Sequence, residues 1–379
     1  MSLGQAVIDS VAIGANIRHI AAQTRTPLMA VVKANGFGHG AVTVAEAALA
    51  CGATWLGVTS TAEAMELRSA GITAPMLSWL HRADEEFADL IAANVDIGVS
   101  SLAHLHGIAE AAARTGLPAA VQLKVDVGLS RNGILGDDWT ELVTYARKHE
   151  AEGSVVVRGL WSHLTNADVA GCPSVGQQVT RFHDALQVAH GAGLTPDVVH
   201  LANSGAALAA PQTRFDLCRI GLAMYGVDPF WREGVSQRAL QPAMTLRTSV
   251  VNVKRVPAGT GVSYGPDYVT DRPATLALIP LGYADGLPRA AEGRASVWLA
   301  GQRCPIVGRI SMDQCVVNAG DLPVSLGDPV IVFGAGTHPG ERPPAVEDWA
   351  HWARTNPHEI LTGIGARVAR VTPQEARTR

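Results

Sequence analysis

The chain has 379 residues, of which 47% are hydrophobic, so it is long enough for two domains with large buried cores. The formal net charge is −4 and the basic residues are dispersed, which argues against nucleic acid or an anionic membrane as a partner. Five scattered cysteines without a paired motif, no signal peptide and no apolar run long enough to span a bilayer predict a reduced, cytoplasmic protein.

The first two-thirds of the chain alternates between short apolar runs and amphipathic helical segments. The runs that predict strands cover residues 27–34, 54–60, 74–80, 95–101, 119–128, 155–164, 196–204 and 215–222. Alternation of strands and helices is typical of a parallel sheet. Eight such units in a chain of this length predict an α/β fold whose N-terminal part is a (β/α)8 TIM barrel.

The pattern changes near Val235. Strand-like runs separated by turn signals follow at residues 246–256, 275–284, 294–308, 314–320 and 329–336. A helical pattern returns only at residues 345–355. We therefore predict a barrel domain over residues 1–235 and a mostly β domain over residues 236–379.

Several polar residues lie where catalytic residues of a TIM barrel are found, on the loops that follow the strands. Lys33 ends the first barrel strand, and a lysine there is costly to bury unless it is used or paired. Later strands end in or are followed by Lys124, Asp126, Arg131, His163, Asn203, Ser204 and Arg219. The loops after the last two strands, at Ser204 and Gly221, are common phosphate sites in this fold. A lysine beside a phosphate site indicates pyridoxal phosphate (PLP), with a sugar-phosphate aldolase as an alternative.

A second alternative is a dinucleotide site. Gly36, Gly38 and Ala41 loosely fit the glycine fingerprint, and Glu63 lies at a plausible distance for a ribose partner. That interpretation leaves Lys33 and the later loops unexplained. No His or Cys spacing typical of a metal site is present in the sequence.

The segment VVKANGFGHG (31–40) resembles the PLP-lysine signature of bacterial alanine racemases. The resemblance covers residues 6 to 371 and continues through segments 124–133, 162–168, 200–205, 218–226, 261–268, 280–289 and 307–314. It implies a TIM barrel with a β domain, and a head-to-tail homodimer in which each active site is completed by the partner. It also implies that the protein interconverts L- and D-alanine and supplies D-alanine for peptidoglycan.

The resemblance assigns the two bases. Lys33 would carry PLP and act on one face of the substrate Cα, and Tyr264 of the partner subunit would act on the other. Racemisation requires groups on both faces, because a proton leaves one side and returns to the other.

Four further residues receive roles from the resemblance. Arg219 would face the pyridine nitrogen of PLP and disfavour its protonation, and His163 would orient Arg219. Arg131 would contact the cofactor phenolate and the substrate. Lys124 matches a lysine that is often carbamylated; as a carbamate it would hold Arg131, and as an amine it would repel it.

The remaining assignments concern the two ends of the ligand. The cofactor and its phosphate would be held by Asn203, Ser204, Gly221, Leu222 and His358. The substrate would meet Tyr283, Met312 and Asp313, with Tyr283 restricting the site to small side chains. Phe37 and His358 stand where the family usually has tyrosines near the phosphate, which predicts weaker retention of PLP.

The resemblance leaves other functions open. One is a racemase of different or broader specificity on the same fold. A decarboxylase is disfavoured, since those enzymes pair the pyridine nitrogen with a carboxylate where this chain has Arg219. The last is a catalytically idle PLP-binding protein.

Overall fold

The computed structural model describes residues 3–169, 171–233 and 239–377. The chain begins with strand β1 (Gly4–Ile8) and helix α1 (Ser10–Thr24). The eight strands that follow are β2 (Leu28–Val31), β3 (Ala53–Val58), β4 (Met76–Ser78), β5 (Asp96–Val99), β6 (Ala119–Lys124), β7 (Val155–Trp161), β8 (Val198–His200) and β9 (Cys218–Ile220). The helical segments among them are α2 (Lys33–Phe37), α3 (Ala41–Ala50), α4 (Thr61–Ser69), α5 (Ala88–Ala92), α6 (Leu102–Thr115), α7 (Gly136–Ala151), α8 (Pro173–Gly191) and α9 (Ser204–Ala209).

Strands β2 to β9 form the predicted TIM barrel. Each pairs in parallel with the next from β2 to β8, and β9 pairs with β2. The seam between β8 and β9 is joined by backbone bonds from Asp216 N–H to the Val199 carbonyl and from Arg219 N–H to the Ala202 carbonyl, both 3.0 Å. Each predicted run overlaps one of these strands, and only β3 begins outside its run, by one residue, so the barrel prediction is confirmed.

Glycines make room for large side chains inside the barrel. A Cβ at Gly57 would lie 2.5 Å from the Trp79 ring, and one at Gly159 would lie 2.8 Å from the Gln122 side chain. Trp79 and Trp161 pack there with ring centroids 6.0 Å apart. The interior is therefore filled by side chains rather than being an open pore.

The second domain is mostly β, as predicted. Its strands are β10 (Met244–Ser249), β11 (Asn252–Val256), β12 (Gly261–Val262), β13 (Tyr268–Val269), β14 (Ala274–Ile279), β15 (Ser296–Leu299), β16 (Gln302–Val307), β17 (Cys315–Gly320), β18 (Pro329–Phe333) and β19 (Ala369–Val371). Its helices are α10 (Val346–Ala353), α11 (Pro357–Gly363) and α12 (Pro373–Arg377). The large sheet has the order β11-β14-β17-β16-β15-β18-β10-β1-β19, so the first strand of the chain belongs to it.

Two of the predicted strand-like runs in the second domain each contain two strands. Residues 246–256 include the end of β10 and all of β11, which are not neighbours in the sheet. Residues 294–308 form the β15–β16 hairpin, because Ala300 (φ 49°) and Gly301 (φ 81°) make a tight turn with positive φ. The predicted boundary between residues 235 and 236 lies outside the described residues.

The second domain packs against the turn that follows β2. Arg370 donates from Nε to the Gly38 carbonyl at 3.0 Å. A Cβ at Gly38 would lie 2.5 Å from the Leu361 carbonyl oxygen, so only glycine allows this approach. Among the helices of the described ranges, none is long and apolar enough to cross a membrane.

Candidate active site

A cleft of about 540 Å³ opens at the carboxyl ends of the barrel strands. The predicted residues that line it are Lys33, Lys124, Arg131, His163, Asn203, Ser204, Arg219, Gly221, Leu222 and His358. Tyr264, Tyr283, Met312 and Asp313 do not line it. The fold thus gathers the residues predicted on the barrel loops, together with one residue from the second domain.

The segment after β2 is a turn of left-handed backbone. Ala34, Asn35 and Phe37 have φ values of 53°, 53° and 51°. For L-residues this conformation costs roughly 1–2 kcal/mol each. Such strain persists only where the surroundings hold it, and it clusters at functional sites. Here it turns the chain sharply immediately after Lys33.

Glu63 helps to hold this turn. Its two carboxylate oxygens accept bonds from Ala34 N–H at 2.8 Å and from Thr59 N–H at 2.7 Å. Both oxygens are therefore engaged with backbone. Glu63 is therefore a structural residue of this turn, which argues against its role as the ribose partner in the dinucleotide alternative.

Lys33 is half-buried in the cleft. Burial lowers the pKa of its amine, the nearby charge of Arg131 lowers it further, and Glu63 partly opposes the shift. A lowered pKa increases the neutral fraction of the amine, which is the form that attacks a carbonyl. Lys33 is thus suited to Schiff-base chemistry.

Lys124 is 5% exposed, and its Nζ lies 4.4 Å from the centre of the Trp161 ring. Burial lowers the pKa of this amine to about 7, with further contributions from Arg219 and Arg131. A substantial neutral fraction therefore exists near pH 7. Only a neutral amine can react with carbon dioxide to form a carbamate, so Lys124 meets the chemical requirement for that modification.

Arg131 reaches the cleft from the loop after β6. The Asp126 carboxylate shapes this loop by accepting bonds from the N–H groups of Gly128 at 2.7 Å, Leu129 at 3.0 Å and Ser130 at 3.2 Å. The loop therefore has a defined path up to Arg131, which lines the cleft.

Arg219 lies in the floor of the cleft, 4% exposed. Its Nη2 donates to the carbonyls of Ser162 at 2.7 Å and Leu201 at 2.9 Å. Burial lowers its pKa to about 10, so the guanidinium stays charged at neutral pH.

The histidine that orients Arg219 most closely is His200, not His163. Arg219 Nη1 lies 2.9 Å from His200 Nδ1, whereas Nη2 lies 3.5 Å from His163 Nδ1. Burial and the charge of Arg219 lower the pKa of both imidazoles far below the usual value, so both are neutral. His200 was not predicted because the run assigned to this strand, residues 196–204, extends four residues beyond the end of β8 and so places His200 inside the strand.

The small residues after β8 and β9 form a tight cradle. Ser204 Oγ accepts bonds from the N–H groups of Gly221 at 3.1 Å and Ala223 at 3.4 Å. A Cβ at Gly205 would lie 2.3 Å from the Ala167 carbonyl oxygen. We call Ser204, Gly205, Gly221 and Leu222, which all line the cleft, the phosphate cradle, since the loops after the last two strands of this fold are common phosphate sites.

Asn203 has a structural part in this cradle. Its Oδ1 accepts a bond from Ala206 N–H at 3.1 Å and caps the start of α9. It lines the cleft, and its side-chain oxygen is already engaged.

Aromatic rings border the phosphate cradle. Phe37 stacks on Tyr225 with centroids 4.7 Å apart and contacts the His358 ring at 5.5 Å. The Tyr225 hydroxyl donates to the Val31 carbonyl at 3.0 Å. It therefore points away from the cradle and does not supply the hydroxyl that a tyrosine at position 37 or 358 would bring.

The other predicted residues lie together on the second domain. Tyr264, Tyr283 and Met312 are 72%, 43% and 53% exposed. Tyr283 N–H donates to the Ser311 carbonyl, and Ser263 Oγ donates to the Arg309 carbonyl, which ties the three loops together. We call this surface, with the exposed Asp313, the Tyr264 face.

Two family models match the chain. The model of the alanine racemase N-terminal domain covers residues 8–229, and that of the C-terminal domain covers residues 243–372. The chain belongs to the alanine racemase family. Alanine racemases are PLP-dependent isomerases, so the aldolase and dinucleotide alternatives are wrong.

Individual alanine racemases match over nearly their whole length. The enzyme of Thermobifida fusca is 47% identical over 371 residues, which are 98% of each chain. The crystal structure from a D-cycloserine-producing Streptomyces lavendulae is 47% identical with a TM-score of 0.95, covering 98% of this chain and 97% of that one. The Bartonella henselae enzyme, solved with covalently bound pyridoxal phosphate, is 30% identical with a TM-score of 0.87, covering 98% of this chain and 100% of that one.

The residues present fit PLP. Lys33 supplies an amine of lowered pKa, Arg219 a buried cation, and Ser204 with Gly221 an anion cradle, all in one cleft. A side chain at Gly221 would lie 3.2 Å from the Phe37 ring and fill the cradle. The alanine racemase cofactor therefore has an amine, a charge partner and a phosphate site here.

Proposed function

We propose that this chain racemises alanine, with Lys33 holding PLP and serving as one of two opposed bases. The observation that carries the proposal is the convergence of Lys33, Arg219 and the phosphate cradle in one cleft. PLP, when bound, supplies an electron sink for the charge left on the substrate Cα. The remaining chemistry consists of orientation and proton transfer by side chains of the protein.

Lys33 Nζ moves the proton on one face of Cα. Its lowered pKa brings the amine closer to the pH at which it must both take and return a proton. Arg131 contributes to that lowering, and we assign it to contact with the cofactor phenolate and the substrate.

The Arg219 guanidinium, which lines the cleft, would face the pyridine nitrogen of bound PLP. Its fixed positive charge would disfavour protonation of that nitrogen. The weaker electron sink would suppress side reactions such as transamination, while removal of the Cα proton would remain possible.

Tyr264 of the partner subunit acts on the opposite face of Cα. The cleft of a single chain has no tyrosine among its described lining residues. Tyr264 is 72% exposed on the Tyr264 face, which suits a group that inserts into a second copy. We therefore propose a head-to-tail homodimer in which each cleft receives the other chain's Tyr264 face.

The same face selects the substrate. Met312 of the partner subunit would offer its backbone N–H to the substrate carboxylate, with Asp313 beside it. Tyr283 of the partner subunit would narrow the entrance and restrict the site to small side chains. We further propose that the protein is cytoplasmic and supplies D-alanine for peptidoglycan.

A panel of enantiopure amino acids tests the proposal. Each is incubated with the PLP-loaded protein in deuterated water, followed by polarimetry and by deuterium incorporation at Cα. We expect inversion and exchange for both enantiomers of alanine and little reaction with large side chains. Inversion of many amino acids would indicate broad specificity. Exchange without inversion would contradict the two-base mechanism, and PLP binding without exchange would indicate an idle binder.

A further inference from the structure

A row of hydrogen-bonded side chains runs from the active site through the inside of the barrel. Arg219 Nη1 contacts His200 Nδ1 at 2.9 Å, and His200 Nε2 contacts Gln122 Oε1 at 2.7 Å. Gln122 Nε2 donates to Asp96 at 2.7 Å, and Arg158 donates to the other oxygen of Asp96 at 2.7 Å. We call Arg219, His200, Gln122, Asp96 and Arg158 the interior row.

The interior row crosses the barrel from its catalytic end towards its opposite end. Arg219 lies on β9 and His200 at the end of β8, whereas Asp96 is the first residue of β5. His200, Gln122 and Asp96 are 0% exposed. Arg158 at the far end has a partly exposed side chain. Bulk water therefore does not satisfy the three central groups.

Burial raises the pKa of Asp96 to about 6, so Asp96 is a carboxylate at neutral pH and sets the direction of the bonds from its end of the row. A carboxylate only accepts hydrogen bonds, so Gln122 must turn its Nε2 towards Asp96 and its Oε1 towards His200. Oε1 also only accepts, so His200 must carry its proton on Nε2. The neutral ring then presents the lone pair of Nδ1 to Arg219, which can only donate.

We propose that Asp96, acting through Gln122 and His200, is the positioning group that aims the Arg219 guanidinium at the cofactor ring. Asp96 and Gln122 do not line the cleft. They act by holding His200 in the tautomer that accepts a bond from Arg219. The inference rests on the proposed place of Arg219 at the pyridine nitrogen.

Neighbouring residues of the barrel leave space for the interior row and hold its side chains in place. A Cβ at Gly159 would lie 2.8 Å from the Gln122 side chain, so glycine there leaves the space in which Gln122 bridges His200 and Asp96. The His200 ring stacks on Trp161 with an interplanar angle of 4°. Packing thus fixes the plane of the imidazole, and the row fixes which of its nitrogens carries the proton.

Two variants separate positioning from space filling. Gln122→Leu keeps a similar volume and removes both hydrogen bonds. Asp96→Asn keeps the shape and removes the fixed direction, because an amide can turn either end towards Gln122. The matched control is Ser78→Ala, which alters another fully buried polar side chain of a barrel strand outside the interior row.

The first readout is the tautomer of His200 in protein without cofactor. It is measured by nitrogen NMR of histidine-labelled protein, with the His200 signals assigned by their loss in His200→Gln. We expect the Nε2–H form in the wild type and in Ser78→Ala, and a mixture of tautomers in Gln122→Leu and Asp96→Asn. This readout does not depend on the reaction, so a failure of the proposed function would leave it unaffected.

The second readout uses the PLP-loaded enzyme. We expect Gln122→Leu and Asp96→Asn each to shift the nitrogen signal of labelled PLP. Each should also lower kcat about tenfold, as for loss of one hydrogen bond to a charged group, and change KM by less than about twofold. Adding Asp96→Asn to Gln122→Leu should lower kcat by less than about a further twofold, because Asp96 acts through Gln122.

An unchanged His200 tautomer in Gln122→Leu would overturn the proposal. So would a changed tautomer accompanied by a wild-type cofactor signal, since Arg219 would then be positioned without the row. If Asp96→Asn does not fold, Gln122→Leu alone decides the outcome.

Discussion

Phe37 lines the cleft at a position where the resemblance to the family predicts a missing phenol, and Phe37→Tyr tests the predicted weaker retention of PLP. The Phe37 ring is 4% exposed and is fixed between Tyr225 and His358. Its Cζ is the atom nearest to the position that a Cβ on Gly221 would take, at 3.2 Å. A hydroxyl added at Cζ would therefore stand at the phosphate cradle.

The expected gain follows from one added hydrogen bond to a phosphate. Bonds to charged groups contribute about 1.5–3 kcal/mol, which corresponds to about a 10- to 150-fold lower Kd. Because Phe37 lines the cleft, water can solvate the new hydroxyl when no cofactor is bound. Most of the gain should therefore appear in the affinity for PLP.

The assay is a titration of cofactor-free protein with PLP, followed by quenching of tryptophan fluorescence. Trp79, Trp161 and Trp231 line the cleft and serve as reporters. The matched control ligand is pyridoxal, which lacks the phosphate and should bind the wild type and Phe37→Tyr equally. A Kd for PLP within about twofold of wild type, or an equal gain for pyridoxal, would refute the reasoning.

Three further predictions concern the site. Lys33→Ala removes the amine proposed to anchor PLP, so the absorbance band of the loaded protein at about 420 nm should vanish. The pKa of Lys124 is about 7 in the folded protein against an ordinary 10.5, so the unfolded chain binds an extra proton between these values. The free energy of unfolding in urea should therefore rise with pH across that interval in buffer free of carbon dioxide, and Lys124→Met should flatten the rise. Tyr264→Phe should keep the absorbance band. It should slow the reaction that starts from one alanine enantiomer more than it slows deuterium exchange at Cα of the other enantiomer. Equal slowing of the two would contradict the placement of Tyr264 on one face of the substrate.

The barrel and most of its site could be predicted because each parallel strand produces a recognisable local pattern in the sequence. All four residues of β2 are buried, and a strand buried on both faces gives a continuous apolar run. Since catalytic residues of the fold follow those strands, Lys33, Arg131 and Ser204 could be located from the position of the runs alone.

The interior row could not be predicted in the same way. Gln122 and His200 are 78 residues apart in the chain, and nothing near either residue indicates the other. A polar residue within an apolar run signals only that it needs a partner. The same limit applies to β1, whose place beside β10 and β19 depends on pairing with residues more than two hundred positions away.

The residues of the Tyr264 face are exposed and lie outside the cleft of their own chain. A site shared between two chains can be recognised by mixing Lys33→Ala with Tyr264→Ala. In a mixed dimer, the intact Lys33 of one chain meets the intact Tyr264 of the other, and the second site lacks both groups. Random exchange of subunits should therefore restore about a quarter of the wild-type activity from two inactive proteins. If Tyr264 acted within its own chain, every site in the mixture would lack one base, and no activity would return even when differently tagged subunits had demonstrably exchanged.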